Sequence, residues 1–194
     1  MLQTFSGRRP SQDEAELTGF LRLLQDRGVR RYAEIGARHG DTFHHVMTGL
    51  PSGSTGVAVD LPGALWGTDK SRRHLERAVA DLKRQGYKAS CLFGNSQTEA
   101  TKRLIVGRGP YDAALLDGDH TYAGVSKDWQ LYRNIAPIIA FHDIVGTGQA
   151  EKVHSNPVEV PRLWAEIKDS GLETVEFITP GSKMGIGVVF TGEV

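Results

Sequence analysis

The sequence predicts an α/β fold: a doubly wound, mostly parallel seven-stranded sheet with an antiparallel C-terminal hairpin and helices on both faces. Three observations carry this. Short apolar runs alternate with helical patterns along nearly the whole chain, which implies a parallel sheet covered on both faces. The last two runs are joined only by a turn at Pro180-Gly181, too tight for a crossover helix, so they form a hairpin at the sheet edge. No repeat, low-complexity tract or linker breaks the pattern, so residues 11–194 read as a single domain. Residues 1–10 are polar, contain Arg8-Arg9-Pro10, and read as a flexible arm.

Each element has a local reason. Ser11 resembles a helix N-cap with Glu14 at the capping-box position; Leu17, Phe20, Leu21 and Leu24 follow at helical spacing, and Gly28 ends the run. Tyr32–Gly36 reads as a strand and Asp41–Thr48 as a helix capped by Asp41. Gly56–Asp60 is a short buried strand ending on a carboxylate, and 61–70 is loop. Ser71 caps a second helix whose Leu75, Ala78, Val79 and Leu82 share one face. Tyr87–Phe93 is a strand, Ser96–Val106 a helix, Tyr111–Leu116 a strand and Ala123–Tyr132 a helix. Ile135–Phe141 is a buried strand, and Asp143–Pro157 is a loop or lid of mixed polarity. Val160, Leu163, Trp164 and Ile167 mark the last helix; Glu173–Ile178 and Gly185–Thr191 are the terminal strands.

Composition excludes several functions. A chain of 194 residues suffices for one domain with a two-sided core. Lys plus Arg and Asp plus Glu number 23 each, so bulk charge points neither to nucleic acid nor to an anionic membrane. The basic segment Arg72, Arg73, Arg77, Lys83 and Arg84 reads as a solvated helix face. Cys91 is the single cysteine, which fits a reducing compartment and a small apolar role in a strand. No apolar run reaches membrane-spanning length and no apolar leader opens the chain; the expected location is cytoplasmic.

Chemistry concentrates at strand ends, where open parallel sheets bind ligands. Glu34-x-Gly36-x-x-x-Gly40 lies at the first strand-to-helix turn, where glycines permit a tight turn and close ligand approach. Glu34 stands where a dinucleotide fingerprint has its first glycine. A carboxylate there repels a diphosphate and attracts an ammonium or sulfonium cation. Asp60 is placed to accept hydrogen bonds from a ribose diol. Asp117-Gly118-Asp119-His120 ends the fourth strand and His142-Asp143 the fifth. Neighbouring strands lie about 5 Å apart, so Asp117, Asp143 and His142 can converge. A hard divalent cation such as Mg²⁺ would relieve the repulsion between the carboxylates and bind substrate hydroxyls. His120 can accept a proton near neutrality, with Asp119 as the alternative catalytic group or as a cap of the next helix. Trp66 is placed to stack on a base, and His39 and His154 to touch ligand. His44, His45, Trp129 and Trp164 read as packing residues.

These residues resemble the class I S-adenosylmethionine-dependent methyltransferases, whose fold is Rossmann-like. More narrowly they resemble the family marked by Asp-Gly-Asp-His-Thr-Tyr and Phe-His-Asp at strand ends (residues 117–122 and 141–143), which is similar to cation-dependent O-methyltransferases acting on macrolide sugars and catechols. The resemblance implies that Glu34, Gly36 and Gly40, with Ala37 and Arg38, line the methionine part of S-adenosylmethionine. It implies that Asp60, beside Leu61, holds the ribose and that Asn95 and Ser96 lie beside the adenine. Asp117 would border the cofactor and ligate a metal with Asp143, and His120 would match the general base; His142, at the same strand end, is the third candidate ligand. Those sugar enzymes have a carboxylate where His142 stands, and the stretch Asn134-Ile135-Ala136-Pro137 lacks their usual glycine pair.

The expected function is methyl transfer to an oxygen of a small hydroxylated acceptor, with Mg²⁺ as an optional second cofactor. The expected partner is that acceptor, not nucleic acid or membrane, and homo-oligomerisation is left open. The rival readings are a metal-independent enzyme, a non-catalytic binding module of the same fold, and a dinucleotide-dependent oxidoreductase.

Overall fold

Strand β1 (Arg31–Ile35) sends alternate side chains to opposite faces of the sheet, and the two cores follow from that alternation. Tyr32 packs into one apolar layer, while Ala33 and Ile35 pack into the other. The computed structural model describes residues 10–64, 70–145 and 158–192. Its strands β1, β2 (Thr55–Asp60), β3 (Lys88–Phe93), β4 (Ala113–Leu116), β5 (Ile138–His142), β6 (Thr174–Phe177) and β7 (Ile186–Phe190) form one sheet in the order β3-β2-β1-β4-β5-β7-β6. β1 to β5 pair in parallel, and β7 runs antiparallel between β5 and β6. The expected mostly parallel sheet with an antiparallel terminal hairpin is present.

Helices α1 (Glu14–Asp26), α2 (Asp41–Gly49) and α3 (Ser71–Arg84) cover one face; α4 (Glu99–Val106), α5 (Tyr122–Tyr132) and α6 (Val160–Asp169) cover the other. Leu75 and Leu82 of α3 are completely buried, and each such side chain contributes about 1.5–3 kcal/mol. Trp164 on α6 packs against Phe141, and Trp129 meets the same ring from α5. Gly19 lets α1 lie on β6, since a Cβ there would stand 2.5 Å from the Phe177 ring.

Several boundaries differ from the sequence reading. Asp13 caps α1, accepting the N–H groups of Ala15 and Glu16 at 2.9 and 3.2 Å; Ser11 lies two residues too early. Gly40, at φ 81°, occupies the cap position of α2, and Asp41 is the first helical residue. Lys70, not Ser71, precedes α3. α4 starts at Glu99 because Asn95 folds a turn by accepting the Gln97 N–H at 2.8 Å and Thr98 then caps the helix. β4 starts at Ala113, since the Asp112 carboxylate takes the N–H groups of Arg30 and Arg31 at 2.7 and 2.8 Å. β5 starts only after Pro137, which has no N–H to give a ladder.

The strand order reverses between β1 and β4, the place where a doubly wound sheet opens a crevice. The proposed arm falls almost wholly in residues 1–9, outside the described residues, as do Trp66 and His154.

Candidate functional site

A cleft of about 850 Å³ opens at the carboxyl ends of β1, β2, β3, β4 and β5. Glu34, Gly36, Ala37, Arg38, Asp60, Leu61, Asn95, Ser96, Asp117, Asp119, His120, His142 and Asp143 all line it. Gly40 does not: a Cβ there would press on Leu75 and Ala78, so this glycine lets α2 begin against α3. Gly36 serves two purposes. At φ 92° it turns the chain, and a Cβ would stand 2.1 Å from the Asp117 carbonyl oxygen. Its missing side chain therefore lets the β1 and β4 loops touch.

Glu34 is 2% exposed and accepts the Tyr32 hydroxyl at 2.8 Å. Burial pushes its carboxyl up to about 8; the Tyr32 bond opposes this, and the nearby Asp117 and Asp41 charges add to it. Glu34 therefore carries a proton at neutral pH, and a cation beside it would draw that proton off.

Asp60 closes β2. Its Oδ1 accepts the Arg38 N–H at 2.9 Å, with Arg38 itself at a left-handed φ of 47°. Its Oδ2 is buried and has no hydrogen-bond partner among the described residues. Burial raises this carboxyl to about 6, against the pull of the Arg38 and Leu61 N–H groups. Asp60 lines the cleft, and a carboxylate with an oxygen to spare is a strong acceptor for a diol.

At the other end, Asp117, His120, His142 and Asp143 form one cluster. His120 Nδ1 lies 2.8 Å from Asp143 Oδ2, and His120 Nε2 lies 3.6 Å from Asp117 Oδ1. His142 Nδ1 lies 3.2 Å from Asp143 Oδ1 and 3.4 Å from Asp117 Oδ1. Burial acts to lower both imidazoles, but the two carboxylates outweigh it and raise them, His142 most. Burial acts to raise Asp143, yet the two histidines hold its carboxyl well below the usual range. The sequence reading asked for a metal between the carboxylates; the imidazoles of His120 and His142 stand beside both of them. Among the described residues, Asp117, His120 and Asp143 present donor atoms within 4.8 Å of one another. That triad has His120 where the expected set had His142. Asp119 accepts the N–H and hydroxyl of Thr121, whose own hydroxyl caps α5. Its carboxylate thus shapes the turn that carries His120.

The family described as Methyltransferase domain matches residues 33–144, more than half of the chain. The chain belongs to that methyltransferase family. The methyltransferase is also similar in fold to solved structures. TomG, an O-methyltransferase from Streptomyces achromogenes involved in tomaymycin synthesis and solved with SAM, shares 13% identity at a TM-score of 0.66, over 93% of this chain and 81% of that one. An O-methyltransferase from Bacillus cereus solved with SAH shares 20% identity at a TM-score of 0.60, over 93% and 84%. Cofactor-bound Rv0187 from MTB shares 19% identity at a TM-score of 0.66, over 95% and 83%. No curated protein matches the chain.

Sequence reasoning missed one wall of the methyltransferase cleft. Ser11, Gln12 and Asp13 before α1 line it together with Thr179, Pro180 and Met184 of the β6–β7 loop. Gln12 donates to Asp117 Oδ2 at 3.1 Å and accepts the Thr42 hydroxyl. Buried Glu16 accepts the Thr179 and Gly185 N–H groups at 2.9 and 3.0 Å, and Asp13 accepts the Thr179 hydroxyl at 2.7 Å. The only signal was a polar trio ahead of an amphipathic helix, which capping explains equally well. His44 and His45 lie on α2 outside the cleft lining, and His44 bonds Asp81 of α3 at 2.7 Å. No helix among the described residues is long and apolar enough to cross a membrane.

Proposed function

We propose that this methyltransferase moves a methyl group from S-adenosylmethionine to an oxygen of a small hydroxylated acceptor. The observation that carries the reading is Asp60: a carboxylate that ends the second strand and lines the cleft, with one oxygen left without a hydrogen-bond partner among the described residues. That is the geometry a ribose diol completes. Support for the cofactor also comes from the TomG and Bacillus cereus structures, solved with SAM and SAH.

S-Adenosylmethionine, when bound, supplies a methyl group on a positively charged sulfur. Glu34, Arg38 and Ala37 would enclose its methionine part, Asp60 and Leu61 its ribose, and Asn95 and Ser96 its base. The carboxylates of Asp60 and Asp117 in the lining favour a cationic ligand over a diphosphate, which speaks against an oxidoreductase. The acceptor would enter between His120 and the wall built by Gln12 and the β6–β7 loop. Its hydroxyl would receive the methyl group that S-adenosylmethionine supplies, and His120 Nε2 would take the hydroxyl proton. The protein's contribution is mainly alignment and exclusion of water.

A second reading gives the cluster a divalent cation. Asp117, His120 and Asp143 would hold it, and it would orient and acidify the acceptor hydroxyl. Mixed carboxylate and imidazole donors suit Mn²⁺, Fe²⁺ or Zn²⁺ better than Mg²⁺. The two readings exclude one another at His120, which is either ligand or base.

The test is calorimetry with S-adenosylmethionine and with its demethylated product, followed by transfer of labelled methyl to a panel of sugars, catechols and other hydroxyl compounds. Saturable binding with transfer to at least one hydroxyl supports the reading. Tight binding with no transfer to any of them would favour a binding module, and failure to bind at millimolar concentration would end it.

A further inference from the structure

We propose that Asp128 is a positioning residue for the nucleoside half of the cleft: through Ser96 it holds the loop after β3 in the conformation that receives the base. The inference rests on the S-adenosylmethionine reading and adds to it a residue that neither the sequence nor the reaction pointed to.

Asp128 lies on the inner side of α5, 1% exposed. Its Oδ1 accepts the Ser96 hydroxyl at 3.0 Å. On its other side it faces Gly118, where a Cβ would stand 3.3 Å from Oδ2. One carboxylate therefore touches the loop after β3 and the loop after β4 together. Two further bonds from α5 reach the same loop. The Tyr132 hydroxyl donates to the Ser96 carbonyl, and Gln97 donates to the Gly124 carbonyl at 3.1 Å. Asn95, Ser96 and Gln97 all line the cleft, and the side chains of Ser96 and Gln97 are both tied to α5.

A carboxylate is a costly way to fill a buried helix position. Burial drives Asp128 up to about 6, although Ser96 and Gln97 pull it back. Packing alone would be met better by an apolar side chain. What an apolar residue cannot do is orient the Ser96 hydroxyl, and with it the backbone on which the base would rest. α5 starts at the Thr121 cap beside His120, so the helix that carries the reaction turn also sets the distal pocket.

Calorimetry tests this with two probes, S-adenosylhomocysteine and 5′-methylthioadenosine, the second lacking the amino-acid end. Asp128→Ala is expected to weaken both by the same factor, about tenfold. Asp128→Asn, which keeps an acceptor for Ser96, is expected to stay within about threefold of wild type. Ser96→Ala removes the bond from the other side and gives the same direction of loss if Asp128→Ala fails to fold. Unchanged affinity in Ser96→Ala, or an Asp128→Asn variant as impaired as Asp128→Ala, overturns the proposal. A wild-type protein that binds neither probe overturns the cofactor reading itself, and this proposal with it.

Discussion

His120 Nδ1 and Asp143 Oδ2 stand 2.8 Å apart, from residues that end different strands. Asp143 adopts a left-handed φ of 61° just past β5, a conformation a non-glycine residue holds only where its surroundings enforce it. A proton on Nδ1 would bridge this pair and would leave Nε2 as the atom able to take another. The Asp143 carboxylate beside the ring stabilises its charged form.

Methyl transfer should depend on pH through this pair. His120 accepts a proton only when neutral, and Asp143 and Asp117 raise it above its ordinary 6.5. Turnover is expected to rise with pH through a midpoint above 6.5. Asp143→Asn removes one raising charge, so its midpoint should move down while the plateau falls. His120→Ala should lose about 10²-fold or more in kcat with little change in KM. A His120→Ala enzyme at wild-type turnover would remove it as the base.

The metal reading makes the opposite claim about the same residue. If Asp117, His120 and Asp143 hold a cation, exhaustive chelation should abolish transfer and Mn²⁺ should restore it. Proton release on metal binding, seen as buffer-dependent heat, would accompany restoration because both histidines are raised. Full activity after chelation, with no metal in elemental analysis, leaves His120 as base.

Asp60→Ala should weaken S-adenosylhomocysteine by about tenfold or more, since it removes the acceptor for a diol. Because burial raises Asp60 to about 6, wild-type affinity should also fall as pH drops through that value. The variant should lack this dependence. Competition binding at pH 5 and pH 8 measures both effects.

Much of this was legible in the sequence because strand ends in an alternating α/β chain are set by local signals. Glu34, Asp60, Asp117 and Asp143 each follow a short apolar run, so their convergence needed only the sheet rule. What was not legible came from pairs distant in sequence. Gln12 meets Asp117 across 105 positions and Glu16 meets Gly185 across 169; no spacing rule links such residues. Gly40 was placed in the cleft because a glycine loop allows ligand contact, whereas α3 packing claims it. Asp128 was hidden inside an amphipathic helix, where a carboxylate reads as solvent-facing.

Gly36→Ala tests the contact between the β1 and β4 loops. The new Cβ would stand 2.1 Å from the Asp117 carbonyl at a φ of 92°, so backbone must move. Denaturant unfolding should show a loss of at least about 2 kcal/mol. Cofactor affinity should fall too, because Glu34 and Asp117 are no longer held in register. Gly53→Ala, at φ 80° with nothing near its Cβ, is the control: it shares the backbone strain and lacks the clash.

Glu34 should make both stability and cofactor binding pH-dependent, in opposite senses. Burial raises its carboxyl from 4.5 to about 8, so between those values the folded chain holds a proton that the unfolded chain has released. Its contribution to stability is therefore full below 4.5 and lost as pH rises through about 8. Glu34→Gln, which cannot ionise, should flatten that decline in thermal unfolding between pH 5 and pH 9. A cationic ligand beside Glu34 favours its anion, so binding should expel the proton. Calorimetry at pH 7 in buffers of different ionisation enthalpy should then show proton release for wild type and less for Glu34→Gln. Affinity should strengthen as pH rises toward 8 in wild type, with a weaker trend in the variant. Equal proton release by the two proteins would place the ligand's cation away from Glu34, and the methionine end of the cleft would have to be reassigned.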